Sequence, residues 1–182
     1  KSIISPEYPA AVIAGNTEVS QSVTEALFGA LGTLASSQGT VNNFVYGNDV
    51  YQNYETICGG TGAGPDHPGA SAVHSHMTNT KMTDPEILEQ RFPVRVDSFS
   101  IRRGSGGKGK FPGGDGVIRE LTFLTDMKVT LLTSHRHTDP YGLDGGSPGA
   151  RGRNAVRRQN GEIEELLGND ETDMAPGDTF IM

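Results

Sequence analysis

Between Tyr54 and Thr80 the chain reads YETICGGTGAGPDHPGASAVHSHMTNT, a dense gathering of side chains able to do chemistry. Glu55, the single cysteine Cys58, three of the five histidines (His67, His74, His76) and Asn79 stand among glycines and alanines. Small residues allow close backbone approach, and glycine supplies turns with positive φ. The combination predicts a polar site on irregular backbone, and three chemistries compete for it. His74 and His76, two residues apart, share a face if they lie on a strand, where they can ligate a metal with His67, Asp66 or Glu55 as a third ligand. Cys58 can be a nucleophile with either histidine as its base. Against these stands the plainer reading of histidines that tie loops together and a cysteine that packs as a small hydrophobe.

Other constellations are weaker. His135-Arg136-His137 repeats the spacing after a strand-like run and is expected in an exposed loop. Arg102, Arg103 and Arg119 are expected in structural ion pairs, with a carboxylate substrate as the alternative partner. Gly104-Ser-Gly-Gly-Lys-Gly-Lys110 fits both a dinucleotide fingerprint and most of a phosphate-binding P-loop. Both motifs need a helix directly afterwards, and Phe111-Pro-Gly-Gly-Asp-Gly116 cannot supply one. A glycine-rich β-loop is the better expectation.

The elements that must position these groups follow from periodicity. Val19, Val23, Leu27, Leu31 and Leu34 recur at helical spacing, with Asn16 or Thr17 as N-cap, predicting one long amphipathic helix to about Ser36. Its two glycines, Gly29 and Gly32, imply close packing against a neighbouring element. Ala10–Ala14 predicts a short strand before it. Thr40–Val45 and Tyr51–Ile57 flank Gly47-Asn-Asp49 and predict a hairpin. Thr83 as cap, Pro85 and Glu86 predict a short helix over 84–91. Strand-length runs follow at 94–101, 117–124, 127–132, 153–158, 162–166 and 178–181. The fold class expected is α+β, β-rich: a long N-terminal helix, then a mostly antiparallel sheet with glycine-rich loops, in a single domain over 1–182.

Composition narrows the partners. The 182 residues carry a net charge of −7 and no extended basic cluster, which argues against nucleic acid. One cysteine suits a reducing compartment, and no apolar run approaches a membrane span, so the expected address is cytoplasmic, with no membrane partner. With 25 glycines, no tryptophan and 34% hydrophobic residues, the chain reads as core-poor, as a fragment or a subunit that buries a face against a partner does.

In wording the sequence resembles the hydantoinase B/5-oxoprolinase family. The resemblance runs from Tyr8-Pro-Ala-Ala-Val and Gly15–Gln21 through Ser37–Asn43, Tyr54–Pro65 and Gly69–Thr80. It continues in Asp84-Pro-Glu86, Arg91–Val94, Arg102–Gly109, Gly113–Val117 with Arg119, and Tyr141-Gly-Leu with Gly145-Gly146. Tyr54–Pro65 is closer to 5-oxoprolinases than to free hydantoinase B subunits. The resemblance implies part of an ATP-dependent cyclic-amide hydrolase, opening 5-oxo-L-proline to glutamate or a hydantoin to its carbamoyl amino acid. Related ketone carboxylases share the architecture and are one alternative; a non-catalytic assembly segment is the other. It further implies a hydantoinase A-type module that holds ATP and Mg2+, a homo-oligomeric complete enzyme, and a divalent metal in an upstream part of the B module. A B module is several times longer than 182 residues, so this chain is expected to be a C-terminal portion, inactive alone. On that chemistry His74, His76 and Glu55 are the candidate catalytic groups, and Asn79, Asp115, Gly59 and Gly60 the candidate substrate contacts.

Overall fold

The computed structural model describes residues 7–9 and 15–182; the strand expected over 10–14 lies outside them. A π-helical turn, Gly15–Val19, leads into helix α1 (Ser20–Ala30). Hairpin β1 (Asn43–Gly47) and β2 (Gln52–Thr56) follows, then the long irregular stretch to helix α2 (Pro85–Arg91). The remainder is β3 (Val94–Ile101), β4 (Val117–Phe123), β5 (Met127–Leu132), β6 (Asn154–Arg157), β7 (Ile163–Leu166), β8 (Asn169–Met174) and β9 (Thr179–Ile181).

The strands form two sheets, one ordered β2-β1-β5-β8 and the other β3-β4-β9-β6-β7, with every pairing antiparallel. Alternation drives their packing. In β5, Met127, Val129 and Leu131 point inward while Lys128, Thr130 and Leu132 face out. The inward faces meet in one core, where Phe44 stacks on Phe180 at 4.5 Å and Tyr46 meets Phe123 edge-on at 5.3 Å. Helix α2 adds Leu88, fully buried, to that core. Its cap is Asp84 rather than Thr83: the Glu86 N–H donates to Asp84 Oδ1 at 3.0 Å, and Pro85 takes the first helical position.

Helix α1 departs from expectation twice. It stops at Ala30, not near Ser36, because Gly32 adopts φ 64° and closes a Schellman turn. The Thr33 N–H donates to the Phe28 carbonyl and the Gly32 N–H to that of Gly29, each at 3.0 Å. The helix also turns its apolar stripe outward. Val19, Val23, Leu27 and Leu31 are 56–65% exposed, whereas Gln21 is 0% exposed. The buried side is polar because it must bond to a loop. The Met77 N–H donates to Gln21 Oε1 at 3.0 Å, and Gln21 Nε2 donates to the Ser75 carbonyl at 3.2 Å and to Thr78 Oγ1. Of the two helix glycines, Gly29 matches the close-packing expectation, since the Tyr141 phenol occupies the place of a Cβ.

Strand β8 was not anticipated. Its sequence, NDETDM, is composed mostly of residues depleted in strands, yet it pairs with β5 from Met127↔Met174 to Leu132↔Asn169. It is an edge strand, where outward acidic residues block further pairing.

Candidate functional site

At one end of the sandwich the loops around 32–38, 57–65, 105–114 and 140–150 enclose a cavity of about 710 Å3. Glycine makes this possible by removing side chains between touching backbones. A Cβ on Gly60 would fall on the Gly114 carbonyl, one on Gly114 on the Ala70 carbonyl, and one on Gly62 on the Ala35 carbonyl. Hydrogen bonds lock the same contacts, from Thr61 N–H to the Ala70 carbonyl at 3.0 Å and from Gly114 N–H to the Thr61 carbonyl at 2.9 Å.

The resulting amides serve the loops themselves. The Gly106 N–H donates to Asp115 Oδ1 at 2.8 Å, the Gly113 N–H to the Gly107 carbonyl at 2.9 Å, and the Lys108 N–H to Ser147 Oγ at 2.8 Å. Residues 102–116 lead into β4 with no helix between. This loop does not fit a nucleotide phosphate cradle, which requires such amides pointing at the ligand.

The most concentrated side-chain network on the cavity centres on Glu25 of α1. Its Oε1 accepts from Ser36 Oγ at 2.8 Å and from the Ser37 backbone N–H at 2.5 Å. Each serine then meets a histidine: Ser36 Oγ lies 3.3 Å from His135 Nε2, and Ser37 Oγ 2.8 Å from His76 Nε2. His135 Nε2 is also 3.9 Å from Glu25 Oε2, and its Nδ1 faces the Thr138 carbonyl at 3.2 Å. Burial pushes the Glu25 carboxyl up, but the neighbouring His135 and hydrogen bonds from the Ser37 N–H and Ser36 outweigh it and bring it to about 2. Burial lowers the pKa of His76, with the Glu25 charge opposing. Both histidines sit in the left-handed region, at φ 50° for His76 and 54° for His135, a conformation non-glycine residues hold only when their surroundings fix it. Ser36, Ser37 and His135 line the cavity.

The residues singled out from sequence are dispersed by comparison. Glu55 on β2 is 4% exposed and takes two bonds from Arg119 Nη2, at 3.0 and 3.2 Å, away from the cavity lining. His74 and His76 do not share a strand face, because 74–78 is loop and turn. His76 joins the Glu25 network, while both ring nitrogens of His74 are buried without a partner among the described residues, and burial lowers its pKa. Asn79 is exposed. Asp115 anchors Gly106, whose N–H is the first cause of its lowered carboxyl pKa. Gly59 and Gly60 do line the cavity, with the Gly59 N–H donating to Gln38 Oε1 at 2.7 Å.

Cys58 is buried beside Met82 Sδ at 3.6 Å, and burial raises its thiol pKa, the opposite of an activated nucleophile. His67 bonds its neighbour Asp66 at 2.7 Å, and among the described residues no group of three His, Cys, Asp or Glu side chains is arranged to hold a metal. His135, expected in an exposed loop, is instead inside the site with its side chain 16% exposed. Glu25 was missed because a lone glutamate on a helix is indistinguishable in sequence from a solvated charge.

A profile of the hydantoinase B/oxoprolinase family matches residues 1–182. The chain belongs to that family. It is 45% identical to a 5-oxoprolinase of Dictyostelium discoideum over 181 residues, covering 100% of this chain and 14% of that protein. With 5-oxoprolinase 1 of Arabidopsis thaliana it shares 49% over 153 residues, 84% of this chain and 12% of the relative. The fold recurs in an ATP-dependent caprolactamase from Pseudomonas jessenii, at TM-score 0.75 and 20% identity over 96% of this chain and 34% of that one. This hydantoinase B/oxoprolinase chain thus spans a small part of its longer relatives, and the cavity network sits within the shared part.

Proposed function

We propose that these residues contribute one wall of the hydrolytic site of an ATP-dependent cyclic-amide hydrolase of the 5-oxoprolinase type. The observation that carries the reading is the Glu25 carboxylate holding Ser36 and Ser37 against two histidines at positive φ beside the cavity. Opening an activated amide needs a base to deprotonate water and donors for the developing oxyanion. His135 is the best-placed base. Its Nδ1 faces a carbonyl, which favours the tautomer with Nε2 unprotonated, and Glu25 stands where it stabilises the imidazolium that forms. His76 supports the second arm by fixing Ser37. Gly59 and Gly60, on the cavity lining, remain substrate contacts in this proposal, whereas Glu55 and Asp115 hold the fold around the pocket.

ATP supplies the activation of the amide, and we assign its binding with Mg2+ to a hydantoinase A-type partner module. The complete enzyme is proposed to be a homo-oligomer in the cytoplasm, where the buried thiol of Cys58 stays reduced.

His135→Gln in the complete enzyme tests this. ATP-dependent conversion of 5-oxo-L-proline to glutamate is expected to lose about 100-fold or more in kcat while assembly is unchanged. Unchanged turnover overturns the assignment.

A second, compatible role rests on the outward stripe of α1. Four apolar side chains more than half exposed on one helix face form a surface that the remainder of a longer hydantoinase B/oxoprolinase chain is proposed to cover.

A further inference from the structure

The chain is acidic overall, at −7, yet the cavity is not. Its lining includes five cationic side chains, Arg102, Lys108, Lys110, Arg136 and Arg153. Its carboxylates are Glu120 and Asp144, and Glu120 is already paired with Arg157 at 3.1 Å. Arg153 is paired with Glu165, and Lys110 rests over the Phe111 ring at 5.2 Å. Arg102 and Arg136 have no carboxylate partner among the described residues.

Arg136 is held rigidly by neutral oxygens alone. Nε and Nη2 donate to Asn154 Oδ1 at 3.0 and 2.8 Å, and Nη1 donates to the Ser134 carbonyl at 2.6 Å and to Asn42 Oδ1 at 3.4 Å. The guanidinium lies against Gly152, where a Cβ would collide with it. Arg102 donates from Nη1 to the Arg151 carbonyl at 2.7 Å. Burial first, and then the charge of Arg102, bring the Arg136 pKa down to about 10, so the two cations feel each other. Two like charges on a partly buried wall raise the energy of the fold unless something answers them. Beyond these bonds Arg136 keeps one Nη2 N–H and its charge, whereas Arg102 makes a single donor bond and can turn a planar guanidinium edge to a two-oxygen anion.

We infer that the Arg102–Arg136 side of the cavity binds an oxyanion carried by the ligand, either a carboxylate or a phosphoryl group. The site deepens the function proposed above by giving the ligand a charge and an orientation: its anionic group lies against the arginines. Asn42, Ser134 and Asn154 act as positioning residues that hold the Arg136 charge at the cavity wall. The inference rests on that reading only for the identity of the ligand.

Equilibrium binding to the complete enzyme tests it, with inorganic phosphate, 5-oxo-L-proline and its neutral analogue 2-pyrrolidinone as probes. Arg102→Gln, at the less constrained arginine, is expected to weaken an anionic probe about tenfold or more and to leave 2-pyrrolidinone unchanged. Loss confined to phosphate identifies a phosphoryl group; loss confined to 5-oxo-L-proline identifies a carboxylate. Arg136→Lys, which keeps the charge but not the hydrogen bonds that place it, is expected to weaken the same probe, and thermal unfolding checks that each variant is folded. Binding of both anions within twofold of the unsubstituted enzyme in Arg102→Gln overturns the inference. If anion binding depends on Arg102 but no ATP-dependent ring opening occurs, the function reading fails and the site stands. If His135→Gln abolishes turnover while Arg102→Gln leaves anion binding intact, the reverse holds.

Discussion

Arg119 Nη2 donates to both carboxylate oxygens of Glu55, at 3.0 and 3.2 Å, with the two side chains 1% and 2% exposed. The pair joins β4 to β2, and so links the two sheets. Nε and Nη1 of Arg119 are buried without hydrogen-bond partners among the described residues, and the Phe99 ring centroid lies 5.3 Å from its guanidinium carbon. Glu55 is therefore the sole counter-charge bonded to this buried cation among the described residues. Glu55→Gln is expected to destabilise the fold by roughly 3–5 kcal/mol, read from urea unfolding. The double change Glu55→Leu with Arg119→Met is expected to recover much of that loss. A Glu55→Gln enzyme of undiminished stability but abolished turnover would return Glu55 to the chemistry.

Two acids on the N-terminal helical segment oppose each other with pH. Burial raises Glu18 to about 7, against a hydrogen bond from Asn43 that lowers it. A raised acid contributes stability that is present below its unfolded pKa and lost as pH climbs, here from 4.5 through about 7. Glu25, brought to about 2, does the reverse: its contribution is full above 4.5 and disappears as pH falls towards 2. Glu18→Gln should flatten the melting temperature between these two values on the neutral side, whereas Glu25→Gln should flatten it on the acid side. Thermal unfolding at a series of pH values checks both, and an unchanged slope in either variant contradicts its assignment.

The cavity loops should be unequal in their tolerance of a single methyl group. Gly62→Ala forces a Cβ into the Ala35 carbonyl, backbone against backbone, and should cost about 1–3 kcal/mol or more. Gly109→Ala meets nothing nearer than 3.5 Å and should be neutral or stabilise slightly, by about 0.4–1 kcal/mol. Comparing their denaturation midpoints separates close approach from flexibility as the reason for so many glycines. Equal midpoints would argue against the interlocked-backbone account.

Leu27→Asp and Leu31→Asp address the outer stripe of α1. Both side chains are more than half exposed, so charges there should barely disturb the local fold. In the complete enzyme they should reduce the assembled fraction seen by size-exclusion chromatography. Wild-type assembly in the double variant removes the proposed packing.

Much of the architecture could be read from the chain because local chemistry and burial agreed. The β5 run Met127–Leu132 alternates in sequence as it does in space, and Gly47-Asn-Asp49 turns the hairpin between β1 and β2. Strand β8 could not be read, because its pairing is dictated by the open edge of β5 rather than by its own residues. Helix α1 was legible as a helix but not in its orientation. Periodicity identifies an apolar face without saying what covers it, and here the buried anchor is Gln21. The site was half legible for a related reason. The Tyr54–Thr80 stretch does supply Gly59, Gly60 and His76, but their partners Glu25, Ser36, Ser37 and His135 come from elsewhere in the chain. No spacing rule joins residues that only the fold brings together.

The inverted helix has a mechanical consequence. Gln21 ties α1 to the loop carrying His76, Glu25 ties it to Ser36 and Ser37, and Tyr141 Oη donates to the Glu25 carbonyl at 3.3 Å from the opposite rim. One rod thus has the pocket rim fastened to its inner side and bare apolar surface on its outer side. A displacement applied to the outer stripe would reach the Glu25 network through this one element, which would gear the proposed assembly to the geometry of the pocket.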